Sequence, residues 1–132
     1  MIILVDDNGI LRKLVGTWLR KEGFTIVECD HAPLAKKLFD LNCEYIDAVI
    51  TDFYLDSLNP AKEDKQGADL IAYIRIFEKE ACKERPVFIL GLSSDKSVAR
   101  KMIQEGCDLF LEKPVKRNQL VTIIKNALTQ TS

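Results

Sequence analysis

Five short apolar runs alternate along this 132-residue chain with five segments in which apolar residues recur at helical spacing. We predict strands at about 2–6, 24–28, 47–51, 86–92 and 108–111. These runs are continuously apolar, which is typical of parallel strands that are buried on both faces. Strict β–α alternation with right-handed crossovers places helices on both faces of the sheet. The pattern therefore predicts a single doubly wound α/β domain over residues 1–132.

The helical segments are predicted from apolar residues three and four positions apart. Asp30 is a candidate N-cap for the second helix, and Gly23 and Gly106 stand where helices should stop. The residues that form the five apolar faces, helix by helix, are Ile10, Leu11, Leu14, Val15, Trp18 and Leu19; Leu34, Ala35, Leu38, Phe39 and Leu41; Leu70, Ile71, Ile74, Phe77 and Ala81; Val98, Met102 and Ile103; and Leu120, Val121, Ile124, Ala127 and Leu128.

Charge and composition favour a cytoplasmic protein that contacts neither nucleic acid nor membrane. The 19 basic and 20 acidic residues leave no basic excess. No signal-peptide pattern and no stretch of about 20 apolar residues is present in the sequence. Four widely spaced cysteines (Cys29, Cys43, Cys82 and Cys107) and one histidine make a structural zinc site improbable. We expect reduced thiols in the core or half-buried.

Polar residues of complementary chemistry follow four of the predicted strands. Asp6 and Asp7 follow the first strand and Asp52 the third, while Ser93 and Lys113 follow the fourth and fifth. Because the carboxyl ends of parallel strands share one edge of the sheet, these side chains should meet in one crevice. Either Ser93 or Ser94 could supply the hydroxyl, and Ser93 is preferred because it directly follows the apolar run.

This set of side chains suits a divalent metal ion and a phosphoryl group. Two adjacent carboxylates such as Asp6 and Asp7 repel each other unless a cation intervenes, and Mg²⁺ prefers such oxygen ligands. Asp52 is the candidate nucleophile, since a carboxylate can attack phosphorus. Lys113 would neutralise the transferred group and Ser93 would donate a hydrogen bond to it.

Four motifs in this order resemble the receiver domain of two-component response regulators over essentially the whole chain. They are I-L-V-D-D-N at 3–8, V-I-T-D at 49–52, G-L-S-S at 91–94 and F-L-E-K-P at 110–114. The resemblance implies a flavodoxin-like sheet of order 2-1-3-4-5. It also implies that Asp52 accepts phosphate from a sensor histidine kinase or a histidine phosphotransfer protein.

The resemblance further implies a role for each matching position. Asp6, Asp7, Asp52 and the backbone carbonyl of Tyr54 would hold Mg²⁺ (or Mn²⁺). The remaining implied roles are those of a switch pair, Ser93 and Phe110, of a catalytic lysine, Lys113, and of a cis peptide bond before Pro114. Phosphorylation would change the surface formed by the fourth helix, fifth strand and fifth helix, and a downstream protein would recognise that surface.

The loop after the phosphoacceptor departs from the family pattern, because Pro60 and Gly67 come late and residues 56–66 carry an insertion. We expect a single receiver domain without an output domain of its own. Such a chain fits a stand-alone regulator, a phosphate shuttle or a receiver cut from a hybrid kinase.

Two other functions compete with this interpretation. A Mg²⁺-dependent phosphatase or phosphotransferase would also work through an aspartyl phosphate, but such enzymes carry D-x-D where this chain has adjacent aspartates. A phosphorylation-independent interaction module would typically have lost Asp52 or the acidic pair. We therefore expect no enzymatic activity beyond the chain's own phosphorylation and dephosphorylation.

Overall fold

A computed structural model describes residues 1–55, 66–80 and 85–129 of the chain. Within these residues, parallel strands form one sheet in the order β2-β1-β3-β4-β5. The strands are β1 (Ile2–Val5), β2 (Ile26–Cys29), β3 (Ala48–Asp52), β4 (Phe88–Ser93) and β5 (Leu109–Glu112). The α-helices are α1 (Gly9–Lys21), α2 (Ala32–Asn42), α3 (Gln66–Glu80), α4 (Ala99–Glu105) and α5 (Arg117–Thr129). Both the doubly wound architecture and the implied strand order are confirmed.

Two apolar clusters cover the two faces of the sheet. One cluster joins Ile3 and Val49 to side chains of α2, α3 and α4, including Phe39, which is completely buried. The other joins Leu4 and Ile50 to side chains of α1 and α5. Successive residues of β1 and β3 thus point into different clusters, which is why these strands are apolar throughout.

The apolar faces of the helices are narrower than their sequence periodicity predicts. Ile10 is 85% exposed and Leu14 is 45% exposed, because α1 buries only the stripe that packs against β2 and α5. Leu41 in α2 and Ile103 in α4 are also exposed, at 71% and 52%. The prediction that these four residues belong to buried faces is therefore wrong.

The helix boundaries differ in detail from those predicted. His31, not Asp30, occupies the N-cap position of α2. The Asp30 carboxylate contacts the side chain of His31, at 2.6 Å from Nδ1. Gly106 ends α4 at a φ of 122°, a conformation that glycine adopts without a steric penalty. The weakly periodic fourth helical segment begins as a 3₁₀ turn over Lys96–Val98 before α4. The inserted loop was predicted at residues 56–66. Residues 56–65 lie outside the described part of the chain, and Gln66 is the first residue of α3.

A polar cluster around Arg75 ties α3 to the amino-terminal ends of β4 and β5. Arg75 Nε donates to the Gly106 carbonyl oxygen at 2.8 Å, and Nη1 donates to that of Val87 at 2.8 Å. The same guanidinium pairs with Glu78 and with Asp108, both at 2.7 Å. This cluster fixes the edge of the sheet opposite the carboxyl ends of the strands.

Three cysteines of the described segments are free thiols. Cys29 and Cys107 are buried, and burial raises the pKa of the Cys29 thiol to about 12. Cys82 lies outside the described residues. Among the helices that the structure describes, none has the length and apolar character needed to cross a bilayer.

Candidate functional site: an acidic pocket at the carboxyl edge of the sheet

The register of the central strands brings the predicted site residues to one edge. Val5 pairs with Thr51, so Asp6 and Asp52 follow at neighbouring positions of β1 and β3. Ser93 is the last residue of β4, and Lys113 directly follows β5. Four segments far apart in sequence therefore contribute to a single cleft.

Three carboxylates form the centre of this cleft. Asp6, Asp7 and Asp52 each offer an oxygen atom, and these atoms lie within 4.8 Å of one another. Asp6 and Asp52 are buried, with 1% and 7% of their surface exposed, whereas Asp7 is half-buried. Three acidic groups at this spacing, two of them out of water, need positive charge nearby.

Lys113 supplies one such charge. Its Nζ lies 3.0 Å from Asp52 Oδ2 and 3.1 Å from Asp6 Oδ2. Burial disfavours the charged ammonium, but the attraction of Asp52 and Asp6 outweighs burial and raises the pKa of Lys113 above its ordinary value. The lysine is therefore a cation that bridges β1 and β3 from the end of β5.

A single ammonium does not fully compensate the acidic groups. Burial of the Asp52 carboxylate raises its pKa from 3.8 to about 6, despite the opposing attraction of Lys113. The charges of Asp6 and Asp7 raise it further. At neutral pH Asp52 is still mostly ionised, but its negative charge is costly. A cation would lower this cost. The ionised carboxylate is also a nucleophile that can attack an electrophile.

The donor set fits a hard divalent cation. Carboxylate oxygens from two strand ends, together with open space for water, match the oxygen coordination that Mg²⁺ and Mn²⁺ take. The cleft has a volume of about 430 Å³. It is lined by Asp7, Asn8, Asp52, Tyr54, Ser93, Ser94 and Lys113.

Ser93 and Ser94 both line the cleft but differ in their surroundings. Ser93 is completely buried, and its Oγ accepts a hydrogen bond from the Asp95 backbone at 3.1 Å. Ser94 is exposed. Phe110 in β5 is half-buried and packs against the cluster on the α4 side of the sheet. The peptide bond between Lys113 and Pro114 is cis, as the family resemblance implied.

Tyr54 lines the cleft, and its side chain contacts Asp95 in the loop after β4. The Tyr54 hydroxyl donates to Asp95 Oδ2 at 3.2 Å, which links the loop after β3 to the loop after β4. Hydrogen bonds from Ser97 hold the pKa of Asp95 below its ordinary value. The carboxylate of Asp95 is therefore a good acceptor for the tyrosine.

Two residues near the cleft have roles that the sequence motifs did not indicate. Asn8 lines the cleft and caps α1, its Oδ1 accepting from the Leu11 backbone at 3.1 Å. Gly67 at the start of α3 donates to the Phe53 carbonyl oxygen at 3.0 Å, and a Cβ there would lie 2.1 Å from the Asp52 carbonyl oxygen. An asparagine before an apolar helix predicts a cap, whereas no local signal predicts the close approach at Gly67.

This fold and this pocket define a class of doubly wound α/β domain with an acidic site at the carboxyl edge of its sheet, and comparison with known proteins identifies the family. The family model for the response regulator receiver domain matches residues 2–125. The chain therefore belongs to the response regulator receiver family, whose members are signalling modules of two-component systems.

Individual relatives agree with this assignment. The transcriptional regulatory protein GlrR of Escherichia coli (strain K12) is 33% identical over 131 residues, which cover 99% of this chain. The match spans 27% of the length of that relative, so it concerns one segment of a longer protein.

Solved structures show the same fold. The receiver domain of NtrX from Brucella abortus superposes with a TM-score of 0.80 at 24% identity, covering 99% of this chain and 100% of that one. The co-crystal structure of the Saccharomyces cerevisiae histidine phosphotransfer signaling protein Ypd1 and the receiver domain of its downstream response regulator Ssk1 also matches. Its TM-score is 0.78 at 25% identity, covering 99% of this chain and 93% of that chain.

Proposed function

We propose that the chain is a phosphoacceptor receiver module, residues 1–132, in which Asp52 takes a phosphoryl group from a phosphohistidine. The donor would be a sensor histidine kinase or a histidine phosphotransfer protein, in the cytoplasm. One observation carries the proposal: the Asp52 carboxylate lies 3.0 Å from the Lys113 ammonium and within 4.8 Å of two further carboxylates. The Ypd1–Ssk1 complex supports the choice of donor, since its receiver chain shares this fold.

The transfer step needs few groups. A carboxylate oxygen of Asp52 attacks phosphorus and forms the acyl phosphate, while the bond from phosphorus to the histidine nitrogen breaks. The departing nitrogen keeps the bonding electrons, and the imidazole leaves neutral after protonation by solvent. Lys113 and the Ser93 hydroxyl stabilise the phosphoryl oxygens, which is most of what phosphoryl transfer requires.

A divalent ion completes the site in this proposal. Asp6, Asp7, Asp52 and the backbone carbonyl of Tyr54 would hold Mg²⁺ (or Mn²⁺). When bound, the ion would neutralise the negative charge that accumulates between the carboxylates and the phosphoryl oxygens. Lys113, already paired with Asp52 and Asp6, would then be released in part to contact the phosphoryl group.

Phosphorylation would act on the surface of α4, β5 and α5 through Ser93 and Phe110. The Ser93 hydroxyl, now bonded to the Asp95 backbone, would turn to the phosphoryl group and the Phe110 ring would turn inward. Moving a 1:99 equilibrium to 99:1 takes about 5.5 kcal/mol. Hydrogen bonds to a charged group contribute about 1.5–3 kcal/mol each, so contacts to Ser93 and Lys113 together would supply about 3–6 kcal/mol, which is of the required order. A downstream protein would read the new surface.

The test is the intact mass of the chain after incubation with Mg²⁺ and acetyl phosphate or phosphoramidate. We expect a single labile phosphoryl adduct on the wild type and on Asp69→Asn, whose carboxylate is exposed on α3. We expect none on Asp52→Asn and slow formation on Lys113→Ala. A wild type that binds Mg²⁺ but forms no adduct would overturn the proposal, and so would an adduct on Asp52→Asn.

A further inference from the structure

Arg12 lies outside the acidic pocket but contacts the backbone that forms it. Its Nη1 donates to the main-chain carbonyl oxygen of Asp6 at 2.7 Å. That oxygen belongs to the peptide group between Asp6 and Asp7, so the contact fixes the plane of the peptide that joins the two carboxylates. We propose that Arg12 is a positioning residue that sets the geometry of the acidic pair for metal binding. The inference rests on the proposed function only for its effect on phosphorylation.

Other contacts reach the Asp6 carboxylate itself. The Asn8 backbone N–H donates to Asp6 Oδ1 at 2.9 Å, and Lys113 reaches Asp6 Oδ2 at 3.1 Å. Both of these contacts are made to the Asp6 carboxylate, which a metal ion would also use. The Asp6 backbone has two contacts of its own: its N–H donates to the Cys29 carbonyl oxygen at 3.1 Å, and its carbonyl oxygen accepts from Arg12. The Arg12 contact is made to the carbonyl oxygen and occupies no carboxylate oxygen of Asp6.

Glu28 in β2 orients the Arg12 guanidinium. Glu28 Oε1 lies 3.3 Å from Arg12 Nε, and Glu28 Oε2 lies 2.9 Å from Arg20 Nη1. Glu28 is paired in register with Leu4, two residues before Asp6. The carboxylate thus anchors Arg12 from the neighbouring strand, and the planar fork of the guanidinium serves Glu28 and Asp6 at the same time.

The space for this arrangement is provided by Gly16 in the middle of α1. A Cβ at position 16 would lie 3.2 Å from both Arg20 Nη1 and Glu28 Oε2. A glycine inside a helix is unfavourable for the helix itself. Its presence here is explained by the room that the Glu28 carboxylate needs between the two arginines.

Loss of the Arg12 contact should weaken metal binding without changing the chemistry. The Asp6 carbonyl oxygen would lose its charged donor, and the peptide between the two aspartates would no longer be held in one orientation. Groups that orient metal ligands from outside typically account for 10–100-fold in affinity. We expect Arg12→Gln to weaken Mg²⁺ binding about tenfold. The phosphorylation rate at saturating Mg²⁺ should stay near that of the wild type.

Arg20→Gln is the matched control. Arg20 pairs with the same Glu28 carboxylate and is removed by the same substitution, but it donates to the carbonyl oxygen of Ile26 and not to that of Asp6. Both variants lose one arm of the same ion network, and Arg12→Gln should lose more stability in urea because Arg12 is the more buried of the two arginines. Only the Arg12 variant should lose Mg²⁺ affinity, and Arg12→Lys, which can serve one of its two acceptors, should recover part of it.

The experiment measures Mg²⁺ affinity of the full chain by calorimetry and, separately, the rate of adduct formation with acetyl phosphate as a function of Mg²⁺. Unchanged affinity in Arg12→Gln, or an equal loss in Arg20→Gln, would overturn the positioning role. Should Arg12→Gln not fold, unchanged affinity in Arg12→Met, which keeps the apolar part of the side chain but donates to neither acceptor, would do the same. A wild type that binds Mg²⁺ but forms no adduct would defeat the proposed function alone, because the affinities still test Arg12. A wild type that binds no Mg²⁺ would defeat both.

Discussion

Replacing Asp52 by asparagine should stabilise the metal-free fold at neutral pH, although it should abolish phosphorylation. Burial raises the pKa of Asp52 from 3.8 to about 6, so the folded chain holds this proton more tightly than the unfolded chain. Ionisation of Asp52 therefore lowers the folding stability as the pH rises above 3.8, the pKa in the unfolded chain. Nearly the whole cost is present above about pH 6. The difference between 3.8 and about 6 corresponds to roughly 3 kcal/mol.

The variant should recover only part of this cost. An amide at position 52 carries no charge to desolvate, but it attracts Lys113 less strongly than the carboxylate at 3.0 Å does. We expect Asp52→Asn to be more stable than the wild type by about 1–2 kcal/mol at pH 7.5. About 2 kcal/mol of the wild-type cost arises between pH 4.5 and 7.5, so at pH 4.5 the stability advantage of Asp52→Asn should fall to about zero or reverse.

The assay is urea unfolding in EDTA, followed by circular dichroism at both pH values, with Asp69→Asn as the charge-matched control. Asp69 is exposed, and its replacement should change stability by less than about 0.5 kcal/mol. Saturating Mg²⁺ should narrow the gap between Asp52→Asn and the wild type, since the ion would neutralise the carboxylate. A stability difference that does not change with pH would refute the assignment of the cost to the buried charge of Asp52.

Three further changes test the fold by urea unfolding. Arg75→Met should destabilise by about 2–3 kcal/mol, because two carbonyl oxygens and two carboxylates, most of them partly buried, lose their donor; a loss below about 1 kcal/mol would contradict this. Gly67→Ala should cost about 1–3 kcal/mol, since its Cβ would overlap the Asp52 carbonyl oxygen, and wild-type stability would argue against that close approach. Phe39→Ala should cost about 3–5 kcal/mol, whereas Ile10→Ala, at an 85% exposed position, should cost little; equal losses would contradict the assigned burial.

The central strands β1, β3 and β4 could be predicted from the sequence because strands buried on both faces are continuously apolar. The edge strands β2 and β5 are buried only in part, but their short apolar runs still placed them to within about two residues. Helical periodicity was less informative about burial. Ile10 and Leu14 follow the apolar spacing of α1 but remain exposed, since periodicity identifies a face without indicating how much of it a neighbour covers.

The acidic pocket was predictable for a topological reason. Residues that directly follow parallel strands must share one edge, so the meeting of Asp6, Asp52 and Lys113 followed from strand order alone. The contacts of Arg12 and Gly67 were not predictable in this way. Arg12 reaches Asp6 through the helix that follows it, and Gly67 touches β3 across the inserted loop, so both depend on angles between elements that no local pattern encodes.

The bridge from Lys113 to Asp6 spans 107 positions of the chain, and this separation has a consequence for folding. A polypeptide that has emerged only as far as α4 already contains all three carboxylates of the pocket, but it lacks the ammonium that pairs with two of them. Such an intermediate carries mutually repelling acidic groups at the centre of its sheet, and a pairing this distant in sequence forms late. Docking of β5 therefore completes the sheet and brings the Lys113 ammonium to the carboxylates of the pocket. The proposed phosphoryl acceptor would then be complete only on a fully folded chain.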